Sequence, residues 1–472
     1  MKLNFTRRSF LTAATAFGLA GRLVPGQALA AAGQRRLSVG SRSIDVLGKA
    51  AKVFGLTDEG GRPGLTFGPG ERFNVALENT ITAPTSIHWH GQTPEPELDG
   101  IAETGYVAPL AAGETRTFDF VPRTGTHWMH SHHELQEQAL LTAPLIVRTP
   151  DDVAADTQEV TLFLNDFSFR DPVEIFRDLT GGATMDHGSM QDMSSMDHAM
   201  TSMDGMDLND VTYDAFLAND RTLDDPEVVR TERNGRVRLR IINGAASTAF
   251  WIDRGPATAS LVAVDGNAVQ PVIGSRFPIA QAQRLDLVLD VPAGAAISVF
   301  AHREGDVART GIILAAPGAQ VERYGSAADS AEVPVDLSLE QQLIALSPLS
   351  ARQADVRHTV MLTGAMAPYS WTIDDQPWAK RRKLEISMGQ RVEIALMNHT
   401  MMAHPMHLHG HHFQVTEIGG RRIAGAMRDT VLVPAMGTVV VAFDADNPGR
   451  WLYHCHNLYH MMAGMMSEVV YV

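Results

Sequence analysis

Arg72-Phe-Asn-Val-Ala-Leu-Glu-Asn79, Arg236-Val-Arg-Leu-Arg-Ile-Ile-Asn243 and Arg391-Val-Glu-Ile-Ala-Leu-Met-Asn398 are three copies of one pattern. Each opens on Arg, runs through five or six residues of alternating or continuous apolar character, and places Asn seven positions on. A period of two predicts a strand. The copies lie 164 and 155 residues apart in a chain of 472, which divides it into thirds. Helical periodicity is nearly absent elsewhere. The expectation is an all-β chain of three consecutive domains.

A second repeat shows what differs between the copies. Gly113–His130 and Gly437–His454 each contain a strand, Thr115–Phe120 or Thr438–Phe443, followed by Gly125 or Gly449 five residues before the His. The first and third domains are therefore related. The middle domain has a comparable Gly294, but its strand Ile297-Ser-Val-Phe-Ala-His302 lacks the paired histidines. Short strands with Pro and Gly turns at this domain size predict Greek-key sandwiches or barrels.

Composition narrows the chemistry. A net charge of −15 gives no electrostatic support to nucleic-acid binding. A single Cys excludes an intramolecular disulfide framework, whereas 19 His and 22 Met are strongly clustered. No apolar run beyond the N-terminus reaches the ~18 residues of a membrane span.

The histidines fall at fixed offsets from the repeated Asn. His88-Trp89-His90 begins nine residues after Asn79, and His407-Leu408-His409 nine after Asn398; His130-Ser131-His132 and His454-Cys455-His456 are again equivalent. Residues i and i+2 of a strand share a face, so each pair can aim both rings into a seam between the outer domains. A lone His-x-His is ordinarily an exposed polar strand face. Four symmetric pairs are better explained by metal, because buried imidazoles without partners are costly and neutral imidazole suits copper, zinc, iron or nickel.

The third domain places ligands at four positions where the first has none. His404 stands where the first domain has Thr85, Cys455 replaces Ser131, His460 replaces Gln136 and Met465 replaces Leu141. Two His, a thiolate and a thioether form the blue-copper electron-transfer set. If Cys455 faces that site, His454 and His456 face the eight-His cluster. Single electrons collected at one site could then reach a multi-electron acceptor, dioxygen being the obvious one.

With these residues the sequence resembles the three-domain multicopper oxidases. His88-Trp-His-Gly91, His130-Ser-His132, His404-Pro-Met-His-Leu-His-Gly410 and His454-Cys-His-x3-His460-x4-Met465 match the family's four copper motifs in order, across essentially the whole mature chain. The resemblance implies three cupredoxin-like Greek-key domains and four copper ions. His404, Cys455, His460 and Met465 would hold type 1 copper, and His88 and His407 type 2. His90, His130 and His456 would hold one ion of the type 3 pair, and His132, His409 and His454 the other. The implied reaction is four one-electron oxidations coupled to reduction of dioxygen to two waters. Asp99 resembles the family's acid near type 2 copper, although Asp99-Gly100 by itself reads as a turn. Met461 and Met462 stand where many relatives carry a second acid; Glu134 and Glu137 are candidate substitutes.

Two segments bear on location and donor. Arg7-Arg8, the apolar Leu11–Leu19 and Ala28-Leu-Ala30 read as a twin-arginine export signal over residues 1–30. Its removal takes Lys2, Arg7, Arg8 and Arg22 and shifts the net charge to −19. The expected domains are 31–150, 151–335 and 336–472, with an insertion at 181–208. That insertion holds Met185, Met190, Met193, Met196, Met200, Met203 and Met206 with His187 and His198. It reads either as a helix packing a Met stripe on the second domain or as a Cu(I)-capturing segment, since thioethers select Cu(I). It resembles segments of copper-resistance oxidases.

The expected protein is a periplasmic or secreted monomer that meets the twin-arginine machinery, dioxygen and either Cu(I) or phenolic and aromatic amine donors. Broad laccase activity and non-catalytic copper sequestration are the alternatives.

Overall fold

The computed structural model describes residues 33–181 and 208–472. The export signal and the Met-rich run 182–207 lie outside the described residues. Among the described residues, only three short α-helices interrupt the strands: Pro150–Ala154, Pro172–Thr180 and Leu458–Met462.

The strands form six sheets in three pairs, and within each pair the same topology recurs. In the first sheet, the strand carrying the repeated Asn lies between a parallel and an antiparallel neighbour. Phe73–Asn79 sits between Arg35–Val46 and Thr115–Phe120, Gly235–Asn243 between Gln158–Phe167 and Arg284–Val291, and Arg391–Asn398 between Val356–Met366 and Thr438–Asp444. In the second sheet the order is also conserved. Leu65–Phe67, Thr142–Val147, Gly125–Ser131 and Ile87–His90 in the first domain correspond to Lys383–Ile386, Met466–Tyr471, Arg450–Cys455 and His404–Leu408 in the third. The two inner faces of the first pair share one apolar core, Val75, Leu77 and Phe118 meeting Trp89, Met129 and Leu145.

The repeated Asn has the same structural task in every copy. The Asn79 side-chain amide donates to the carbonyls of Ala83 and Leu110 and accepts from Ile81 N–H. Asn243 donates to Thr248 and Ile279 and accepts from Ala245; Asn398 donates to Met402, Val433 and Pro434 and accepts from Thr400. All three are buried. The clamp fixes the turn that follows the strand, and in the outer domains that turn leads into the first His pair.

Register does the rest. His88 pairs across the ladder with His130, and His407 with His454. In the middle domain the equivalent strands pair Phe250 with Arg303 and Trp251 with His302, so no His pair exists to aim. Gly91 and Gly410, which follow the first His pairs, adopt φ of 85° and 67°. A Cβ there would lie 2.4 Å from His127 Nδ1 or from the Trp451 ring, so only glycine fits either turn.

Because the middle domain has no His pairs, its clamp can be tested for stability alone. Asn243→Ala leaves two buried carbonyls and one N–H without their partner, at about 1–3 kcal/mol each. The expected outcome is a destabilisation of about 3 kcal/mol in denaturant unfolding, with copper content unchanged. A loss below ~0.5 kcal/mol would remove the clamp from this account.

Candidate metal centre

All eight paired imidazoles meet between the first and third domains, and none is more than 2% exposed. His407 Nε2 is 3.4 Å from His88 Nε2, His409 Nε2 is 3.0 Å from His454 Nε2, and His132 Nε2 is 3.5 Å from His454 Nε2. Ring centroids of His90 and His130 lie 5.1 Å and 5.0 Å from that of His456.

The outward nitrogens are held by acids and carbonyls. Asp99 spans two rings, Oδ1 3.1 Å from His88 Nδ1 and Oδ2 2.9 Å from His409 Nδ1. Glu137 is 2.7 Å from His130 Nδ1, Glu103 is 3.1 Å from His132 Nδ1, and Asp429 Oδ1 is 3.1 Å from His90 Nε2. His407 Nδ1 donates to the Asp429 carbonyl and His454 Nδ1 to the Cys455 carbonyl. In these seven rings one nitrogen is engaged outward and the other faces the shared space, the arrangement that fixes tautomer and ring plane in metal-bound histidine.

Burial holds His90, His130, His407 and His454 far below the usual histidine range. His409 and His456 are pushed down to about 3, again chiefly by burial. These six rings are neutral and carry free lone pairs, whereas His132 goes the other way: burial pushes it down, but the Glu103 carboxylate beside it raises it above the usual histidine range. Burial would raise the Asp99 carboxyl, but the facing His88 and His409 rings hold it well below the usual carboxylate range. His90 Nδ1, His130 Nε2 and both nitrogens of His456 are buried with no hydrogen-bond partner. Orphaned neutral imidazoles converging in this way fit copper.

The second group lies on the opposite face of the same strand. Cys455 Sγ is 3.6 Å from His404 Nδ1 and 3.7 Å from His460 Nδ1, and the two nitrogens are 3.1 Å apart. Met465 is fully buried in the core cluster with Cys455, its N–H bonded to the His460 carbonyl and its own carbonyl accepting from Cys455 N–H. Burial pushes the Cys455 thiol well up, so this sulfur ionises only against a cation. His404 Nε2 is held by Thr400 Oγ1 at 2.7 Å, and His460 Nε2 by Asp210 Oδ2 at 3.0 Å.

Of the two candidate substitute acids, Glu137 reaches the cluster. Glu134 is exposed and held at φ 52°, turned away from it. Asp210, Asp429 and Glu103 were missed by sequence reasoning. Asp210 had one available signal, its place just beyond the Met-rich run; Asp429 and Glu103 had none, since neither has a counterpart in a repeat.

Three stretches match family models described as multicopper oxidase: residues 38–152, 178–315 and 352–472. The chain is 31% identical to the multicopper oxidase MmcO of Mycobacterium tuberculosis, over 85% of this chain and 80% of that one. It is 25% identical to copper resistance protein A of Escherichia coli, over 99% of both. Among solved structures it resembles Fet3p, a multicopper oxidase that functions in iron import, at a TM-score of 0.75 and 18% identity over 92% of this chain and 90% of that one. The fold is thus cupredoxin-like. With three family domains in order, donor groups that fit copper, and these relatives, the chain belongs to the multicopper oxidases, copper-dependent oxidoreductases.

Proposed function

We propose that this chain is a copper-tolerance oxidase that takes electrons singly from Cu(I), oxidises phenols more weakly, and works in the periplasm after twin-arginine export. The observation that carries the donor is where the Met-rich run is tethered. The helix Pro172–Thr180 enters it with the Phe176 ring stacked on Tyr459, centroids 6.4 Å apart. The chain leaves it at Leu208, and Asp210 bonds both His460 and the Asn457 amide. The described residues on both sides of 182–207, Phe176 and Asp210, therefore touch the stretch Asn457–His460 that follows Cys455. A thioether-rich segment between those residues supports delivery of a soft cation to that site.

In this reading His404, Cys455, His460 and Met465 hold type 1 copper, His88 and His407 type 2, and the trios His90, His130, His456 and His132, His409, His454 the type 3 pair. Bound copper supplies one-electron redox chemistry, by which four Cu(I) donors, four protons and dioxygen become four Cu(II) and two waters. The protein supplies the wiring and the proton contacts. Cys455 faces the donor side while its covalent neighbours His454 and His456 face the cluster, giving two short bonded paths. Asp99, beside one ring of the type 2 pair and one ring of the His132, His409, His454 trio, is the acid placed to hold a proton at the His88 and His409 Nδ1 atoms.

Cys455→Ser is expected to abolish the blue colour and turnover while circular dichroism is retained; surviving oxidation would remove the type 1 assignment. Asp99→Asn is expected to keep the blue band and lower turnover about 10²-fold. Oxygen uptake measured with Cu(I) and separately with a dimethoxyphenol tests the donor. Deleting residues 185–206 is expected to lower Cu(I) oxidation about tenfold, equivalent to ~1.4 kcal/mol of lost donor affinity, and to leave or raise phenol oxidation. An unchanged ratio would mean that the segment only packs, and strong phenol activity without added copper would identify a laccase.

A further inference from the structure

The middle domain carries no His pair, yet one of its side chains reaches an acid that holds the eight-His cluster. Strand Arg284–Val291 occupies the same place as Thr115–Phe120 and Thr438–Asp444. Arg284 pairs with Ile242, the residue before the clamp Asn, as Thr115 pairs with Glu78 and Thr438 with Met397. The outer copies carry Thr at this position; only the middle copy carries Arg. Its side chain is fully buried.

Every part of the guanidinium is used. Nη1 and Nη2 fork onto Asp429 Oδ1 and Oδ2 at 2.8 Å and 2.5 Å, Nη1 also donates to the Ala282 carbonyl, and Nε donates to the Thr126 carbonyl of the first domain. One side chain thereby joins all three domains. Asp429 Oδ1 in turn lies 3.1 Å from His90 Nε2 and accepts from Thr430 Oγ1, while the Asp429 carbonyl accepts from His407 Nδ1. Room for this fork depends on Gly91, where a Cβ would stand 2.6 Å from Arg284 Nη2 and 2.9 Å from Asp429 Oδ2. A buried ion pair often gains little over an apolar replacement, so stability alone is a poor reason to keep one. A bidentate fork fixes the plane of a carboxylate, and here that plane decides which nitrogen of His90 is left free.

We infer that Arg284 is a positioning residue for the cluster: it orients Asp429, which holds His90 with Nε2 outward and Nδ1 toward the shared space. The inference rests on the reading of His90 and His407 as copper ligands. It also gives the domain without copper ligands a task at the oxygen-reducing site.

The test uses the copper-loaded full chain and three variants, Arg284→Lys, Asp429→Asn and the double variant Arg284→Gln/Asp429→Asn. The measurements are copper per chain, the blue band of the Cys455 site, the near-ultraviolet band of the type 3 pair and the type 2 paramagnetic resonance signal. A wild-type chain lacking the last two would overturn the ligand reading, and this inference with it. With wild-type signals present, the expected result is an intact blue band in each variant. The cluster signals should be altered and copper retention there weakened about 10–100-fold. The double variant removes one positive and one negative group together and leaves Asp265, 3.7 Å from Arg284, to its closer partner Arg428 at 3.2 Å, so a pair that served only to balance charge would give wild-type cluster signals in it. That recovery would overturn the inference, as would unaltered cluster signals in Arg284→Lys and Asp429→Asn.

Discussion

Eight imidazoles crowded into one buried seam cannot all carry a positive charge, and a neutral ring there is best held when its one N–H finds a partner outside the cluster, as it does for each ring except His456. Most of the arrangement around the seam follows from that constraint. Protonated, the rings would repel one another at separations near 3 Å in a low-dielectric interior; neutral, each has one donor to place outward and one lone pair to present inward. Asp99, Glu103, Glu137 and Asp429 lie at the outer ring, beside the backbone carbonyls of Asp429 and Cys455. The acids thus define which nitrogen faces the metal, so a cluster built from eight identical side chains acquires distinct positions.

The same constraint explains why three domains are needed for two domains' worth of ligands. The outer domains each contribute two strands in register, His88 opposite His130 and His407 opposite His454, and their acids alone do not complete the ring. Asp429 is buried, and its one bidentate counter-charge among the described residues comes from the middle domain through Arg284, with His412 of the third domain further off at 3.7 Å. The middle domain also sends Asp210 to the other site, where it holds His460. The copy without His pairs therefore contributes groups that act one bond further out.

What was legible in the sequence follows from how each feature is encoded. The repeated Asn, the two-residue strand period and the nine-residue offset to the first His pair are local, so they survive as spacing, and the observed strands Thr115–Phe120 and Arg391–Asn398 carry the read boundaries. The outer acids were harder because they reach the site across domains. Asp429 lies 339 positions from His90, Asp210 lies 250 from His460, and no periodicity links either pair. Glu134 and Glu137 could not be separated by sequence, since proximity to His132 favours the first. The backbone decides it: Glu134 takes a left-handed turn conformation at the surface while Glu137, three residues on, points into the cluster.

The alternation of one strand also separates the two halves of the reaction. Cys455 lies among Met465, His404 and His460 on the core side of the third domain, while His454 and His456 lie in the seam. Groups that touch the first set, Thr400 and Asp210, touch none of the second, and Asp99, Glu137 and Asp429 touch none of the first. The two groups of side chains are joined by the backbone of three consecutive residues, His454, Cys455 and His456. The described residues that touch the His460 side, Asp210 and Thr400, can therefore vary without disturbing the acids that hold the seam.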